Sequence, residues 1–147
     1  MGVLTELLKD PTKRRAIVNE GVKVIEAEVN DKGGLRGAAV KLAFKAVQGV
    51  KPGFIPMALD NLIGPFAEKV DPFYDAWKAG GKGTLREYFV ANGPQIANAL
   101  LSITDERAAR ADNKVVRGAY EKLRPQGVEH TVAAMPRLAD LIARFAG

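Results

Sequence analysis

Leu35-Arg36-Gly37-Ala38-Ala39-Val40-Lys41-Leu42-Ala43-Phe44-Lys45-Ala46-Val47-Gln48-Gly49-Val50 is the stretch on which the reading of the fold turns. Its apolar residues do not alternate as those of a half-buried strand would. They fill most of the circumference of a helix, and at about 100° per residue Lys41, Lys45 and Gln48 fall within roughly 60° of one another. A helix that is apolar over so wide an arc belongs in a core. The segment is therefore expected to be a largely buried helix with a narrow basic edge, its lysines reaching water along their aliphatic stems. On that expectation an aspartate at Leu42 or Phe44 destabilises the fold severely, by several kcal/mol, because it places an unpaired charge in the interior.

The helical period persists in both directions from this segment. Asp10-Pro11 is an N-cap followed by proline at the first helical position, opening a helix to about Val29 whose stripe is Val18, Val22, Ile25 and Val29. Lys13-Arg14-Arg15 then sits at the positive end of that helix dipole and calls for a compensating carboxylate. Gly33-Gly34 breaks the chain. Beyond the turn at Lys51 to Pro56, Ala58, Leu59, Leu62, Ile63, Phe66 and Val70 share one helical side, and Gly64-Pro65 is expected to kink or split that helix. Asp71-Pro72 repeats the N-cap and proline device and is expected to start a short helix through Trp77.

Thr84-Leu85-Arg86-Glu87 has the spacing of a capping box, and Asn92-Gly93-Pro94 is a stop and restart. The restarted helix is expected to reach Leu101, with Ser102 or Thr104 capping a further one that runs to about Leu123. Arg124-Pro125-Gln126-Gly127 ends it, and Met135-Pro136 is expected to bend or divide the last helical stretch, Val128 to Phe145. The expected fold is all-α, a single domain over residues 1–147 built as a compact bundle of about seven to nine short helices.

Composition narrows the chemistry. The chain has 147 residues, a formal net charge of +5 and no cysteine, which removes disulfides, thiolate nucleophiles and thiolate metal sites. No apolar run approaches the roughly 20 residues of a membrane-spanning helix, and the acidic start at Glu6 does not resemble a secretory signal, so a cytoplasmic location is expected. His130 is the only histidine and Ser102 the only serine. A His-rich metal site is excluded, and neither residue sits in a nucleophile motif. No catalytic residue, metal site or cofactor is therefore expected. The glycines at 33, 34 and 37 and at 80, 81 and 83 follow no strand and lack the phosphate-loop pattern.

Three groups of residues remain as candidate sites. Arg107, Arg110, Lys114, Arg117 and Arg124 fall within about 100° of arc if Thr104 to Leu123 is one continuous helix, a layout that can track a polyanion such as nucleic acid. Glu121 interrupts that stripe, and Asp112 falls on its apolar side unless the helix breaks there and Asp112 caps a new one. Lys41, Lys45 and Lys51 lie in a segment that has no carboxylate between Asp31 and Asp60 while carrying Lys32 and Arg36 as well, so it could form an edge for anionic lipid. Asp71 and Asp75, one turn apart beside Tyr74 and Trp77, could hold a small ligand against an aromatic wall.

The run Lys32-Gly33-Gly34-Leu35-Arg36-Gly37-Ala38-Ala39-Val40-Lys41-Leu42, with Val50-Lys51-Pro52-Gly53 and Asp60-Asn61-Leu62, resembles members of an uncharacterised family of small all-α bacterial proteins. That resemblance covers most of the chain and implies no activity. The expected function is non-catalytic binding or interaction, with a protein partner or self-association ahead of nucleic acid and anionic membrane. Peripheral lipid association is the second reading. An enzyme or small-ligand binder built on Asp71 and Asp75 is the third.

Overall fold

The computed structural model describes residues 2–146, and of Arg36 the backbone alone. In order along the chain lie α1 (Val3–Leu7), α2 (Pro11–Asp31), α3 (Gly34–Gln48), α4 (Phe54–Gly80), α5 (Leu85–Ala91), α6 (Gly93–Ala109), α7 (Lys114–Leu123), a 3-10 turn (Arg124–Gln126), α8 (Gly127–Ala133) and α9 (Met135–Ala146). The protein is all-α, with no strand among the described residues.

Local chemistry explains most helix ends. Asp10 caps α2 by accepting the amides of Thr12 at 2.9 Å and Lys13 at 3.3 Å. Thr84 and Glu87 form the reciprocal capping box of α5: the Glu87 amide donates to Thr84 Oγ1 at 3.1 Å, and the Thr84 amide donates to Glu87 Oε1 at 3.0 Å. Met135-Pro136 divides the final stretch into α8 and α9.

Several expectations are corrected. Neither Gly64-Pro65 nor Asp71-Pro72 ends a helix, for α4 runs unbroken over 27 residues with Pro65 and Pro72 inside it. A proline in a helix interior costs about 3 kcal/mol, and the apolar burial of Leu59, Ala67, Val70 and Tyr74 along the same helix offsets it. The helix restarted at Gly93 ends after Ala109 rather than near Leu101. Ser102 Oγ and Thr104 Oγ1 instead donate back within α6, to the carbonyls of Ala99 and Leu101, and Asn113, not Asp112, caps α7 through the amides of Val115 and Val116.

The packed centre is formed by Tyr74, Phe89, Ile96 and Met135, all essentially inaccessible, with Val70, Leu85 and Ala139 beside them. These residues hold α4, α5, α6 and α9 together. Ion pairs tie α2 to its neighbours from outside: Arg14 Nε lies 2.9 Å from Asp60 Oδ1 on α4, Arg144 on α9 lies 3.1 Å from Glu20, and Arg137 on α9 bridges Glu28 and Asp31. Asp60 thereby supplies the carboxylate that the basic start of α2 requires.

The largest departure concerns α3. It packs against α7, α2 and α4 through Val40, Ala43 and the partly buried Phe44 and Val47, while its opposite side is uncovered. Leu42 is 66% exposed and Leu35 92% exposed. The expectation of a largely buried helix is thus half right, since periodicity identifies apolar sides without telling how many of them the fold covers.

Candidate functional site

The three groups of residues singled out by sequence are not equally assembled. Asp71 is buried inside α4 and fully engaged: its carboxylate accepts the amide of Leu4 at 2.7 Å, the amide of Thr5 at 3.2 Å and the Thr5 hydroxyl at 2.5 Å. It is the cap of α1, a helix whose own preceding residue, Gly2, has no side chain to offer. Asp75 is exposed. Tyr74 is 1% exposed and directs its hydroxyl to the carbonyl of Ala146 at 3.4 Å, and Trp77 donates to the carbonyl of Gly83 at 3.2 Å. Burial thus separates the two carboxylates, and the aromatics serve packing and a loop tether.

The basic stripe also loses its premise of one continuous helix, because residues 110–113 separate α6 from α7. Arg110 pairs with Glu106. Arg124 makes a two-pronged contact with Asp105, 2.8 Å from Nε to Oδ1 and 3.1 Å from the second nitrogen to Oδ2. Tyr120 also donates to Asp105. The Arg124 guanidinium and then the Tyr120 hydroxyl hold the Asp105 carboxyl below the usual carboxylate range, and burial, followed by the Asp105 contact, raises the Tyr120 phenol. The cluster fastens the start of the 3-10 turn and α7 onto α6. Arg107, Lys114 and Arg117 are exposed on two different helices.

Lys41, Lys45 and Lys51 are exposed, and among the described residues none of them forms an ion pair. This group survives as a continuous feature, and it borders the uncovered side of α3.

A further concavity was not foreseen at all. Between α1, α2, α4, α6, α8 and α9 lies a cavity of about 220 Å³. Leu4, Leu7 and Leu8 line it from α1 and the residue after it, Val24 and Ile25 from α2, Ile63 and Phe66 from α4, and Leu138, Leu141 and Phe145 from α9. Among the described residues every lining side chain but Thr131 is apolar, and the Thr131 hydroxyl is already donated to the carbonyl of Gly127 at 2.7 Å. Space persists because the small residues Gly21, Ala67 and Ala134 stand where larger side chains would meet. Ile17, Val24, Ile63, Phe66, Leu138 and Leu141 point inward yet are only partly buried, so the cavity opens toward the surface.

Val24 and Leu141 also line a second, polar hollow of about 280 Å³ between α2 and α9, with Glu20, Lys23, Arg137, Asp140 and Arg144 on its rim. A greasy interior thus adjoins a charged vestibule. The cations of that vestibule are held in ion pairs, Lys23 and Arg144 both on Glu20, at 3.2 Å and 3.1 Å.

An all-α bundle enclosing an open-sided apolar cavity, with a second, half-covered apolar helix outside it, is what the fold and site define. The chain belongs to a family of unknown function, DUF6918, which it matches over residues 4–146. No curated protein and no solved structure matches it. No helix among the described residues is long and apolar enough to cross a membrane.

Proposed function

We propose that this protein is a non-catalytic binding protein that takes one small, predominantly apolar ligand into the cavity between α2, α4 and α9. The observation that carries this reading is the lining itself. A void of about 220 Å³ walled by leucine, isoleucine, valine, phenylalanine and methionine offers water almost no hydrogen-bond partner. Dry apolar voids of roughly 150 Å³ admit a benzene-sized guest, and this one is larger. Lining atoms that face such a space lack dispersion partners. A guest supplies them. The size suits a single ring system or a short alkyl chain, and the polar hollow beyond Val24 and Leu141 would accommodate a polar end group.

The test is titration with N-phenylnaphthylamine, an uncharged fluorophore that brightens in apolar surroundings and does not respond to the basic surface. Saturable enhancement at one site per chain, displaced by medium-chain fatty acids, is expected. Ala67→Leu combined with Ala134→Leu should abolish it while leaving the melting temperature unchanged or higher, since both substitutions fill the void from within. Undiminished probe binding by the filled variant would overturn the reading.

A further inference from the structure

Helix α3 has two apolar sides, and the bundle covers only one. Taken around the axis, Val40, Ala43, Phe44 and Val47 face inward, and the exposed Leu35, Ala38, Leu42 and Ala46 fall on the opposite side. This outer stripe extends for about 17 Å at 1.5 Å per residue. Lone exposed leucines are ordinary. Two of them on one side of one helix, 92% exposed at Leu35 and 66% exposed at Leu42 and continued by the exposed Ala38 and Ala46, are not.

The electrostatics of the stripe say what covers it. Lys41 and Lys45 run along one flank, Lys51 follows in the turn after the helix, and no carboxylate occurs in the chain between Asp31 and Asp60. None of the three lysines is neutralised by an ion pair among the described residues, in contrast to Lys23 and Lys32, which are held by Glu20 and Glu28. An apolar face bordered by unpaired cations matches a surface that is apolar within and anionic at its rim. We propose that the outer face of α3 docks the protein on a bilayer containing anionic lipid, with Leu35 and Leu42 entering the headgroup boundary while Lys41, Lys45 and Lys51 meet lipid phosphates.

A second copy of the chain fits less well. A two-fold interface would set the lysine-flanked face against itself, and two leucines and two alanines per copy fall far short of the roughly 800 Å² that each partner buries in a stable interface. A bilayer needs neither shape matching nor large area. The proposal is independent of the cavity ligand.

The test is flotation of the full chain with vesicles at physiological salt, comparing phosphatidylcholine alone with phosphatidylcholine containing about one-third phosphatidylglycerol. Binding to the anionic vesicles alone is expected. Leu42→Asp and Leu35→Asp should each weaken it at least about tenfold, and so should Lys41→Glu with Lys45→Glu, each lysine contributing about fivefold. Lys69→Glu with Lys82→Glu changes the net charge equally at a distance from α3 and should leave binding within about twofold, as should the filled-cavity variant. Circular dichroism melts of each variant establish that it is folded. Absence of binding to anionic vesicles, equal loss in the Lys69 and Lys82 variant, or a wild-type dimer by light scattering that Leu42→Asp dissociates would each overturn the proposal, the last by showing that another copy covers the face.

Discussion

Asp71 and Leu4 stand 67 residues apart in the chain and 2.7 Å apart in the fold, the carboxylate of one accepting an amide in the first turn of the helix that holds the other. Because Thr5 adds its amide and hydroxyl to the same carboxylate, one side chain of α4 supplies the polar anchor of α1, beside the core packing of Leu4 and Leu8. Asp71→Ala removes the cap and strands buried amides, and should lower stability by about 2–4 kcal/mol. Gly2 belongs to the same device: a Cβ there would lie 2.1 Å from Asp71 Cγ. Gly2→Ala should therefore cost about 1–3 kcal/mol in denaturant melts. Wild-type stability in either variant would show that α1 is held by its leucines alone.

Burial on α3 can be read by paired substitutions. Val40→Asp and Ala43→Asp force a charge into the buried side of α3 and should destabilise by several kcal/mol. Leu42→Asp should change stability by less than about 0.5 kcal/mol, as expected of an exposed site. Chemical denaturation of the three variants decides it, and equal losses at positions 40 and 42 would mean that the outer face is covered within the chain.

Gly21 offers a test of the cavity from its wall. An alanine Cβ would come within 2.8 Å of Leu59 Cδ2, which is the free end of a side chain that itself lines the void. Leu59 can turn into that space, so the gain in helix propensity of about 1 kcal/mol should outweigh the displacement. Gly21→Ala should melt at or above wild type and bind the apolar fluorophore less tightly. A loss of more than about 2 kcal/mol would indicate that the space is already filled by protein.

The Asp105 cluster predicts an acid response with a definite sign. Its carboxyl titrates lower in the folded than in the unfolded chain, because Arg124 and Tyr120 stabilise the charged form. The stabilisation is complete above the unfolded value of about 3.9 and disappears as pH falls through the lower folded value. Asp105→Asn should thus be less stable than wild type at neutral pH, the gap closing below about pH 4. A gap that is constant with pH would assign the effect to shape rather than charge.

Much of this protein is decided within a few residues along the chain. Asp10-Pro11, Thr84 to Glu87, Asn92-Gly93-Pro94 and Met135-Pro136 mark their helix ends in the sequence because capping and proline chemistry act over one turn. The all-α class follows in the same way from helical periodicity sustained from Leu35 outward. The same local logic fails at Asp71-Pro72, where an N-cap signal lies inside a continuous helix. There the side chain finds partners on a segment far away in sequence, and burial of Val70 and Tyr74 carries the helix through the proline.

The candidate site is the part that only tertiary structure decided. Gly21, Ala67 and Ala134 are ordinary small residues in sequence, and they become the walls of a cavity only when three separate segments converge with nothing large between them. Likewise, the pattern around Leu42 reveals that α3 is apolar on both sides. Which side meets α7 and which meets water depends on how many helices the rest of the chain can bring to it, a matter of packing that no periodicity encodes.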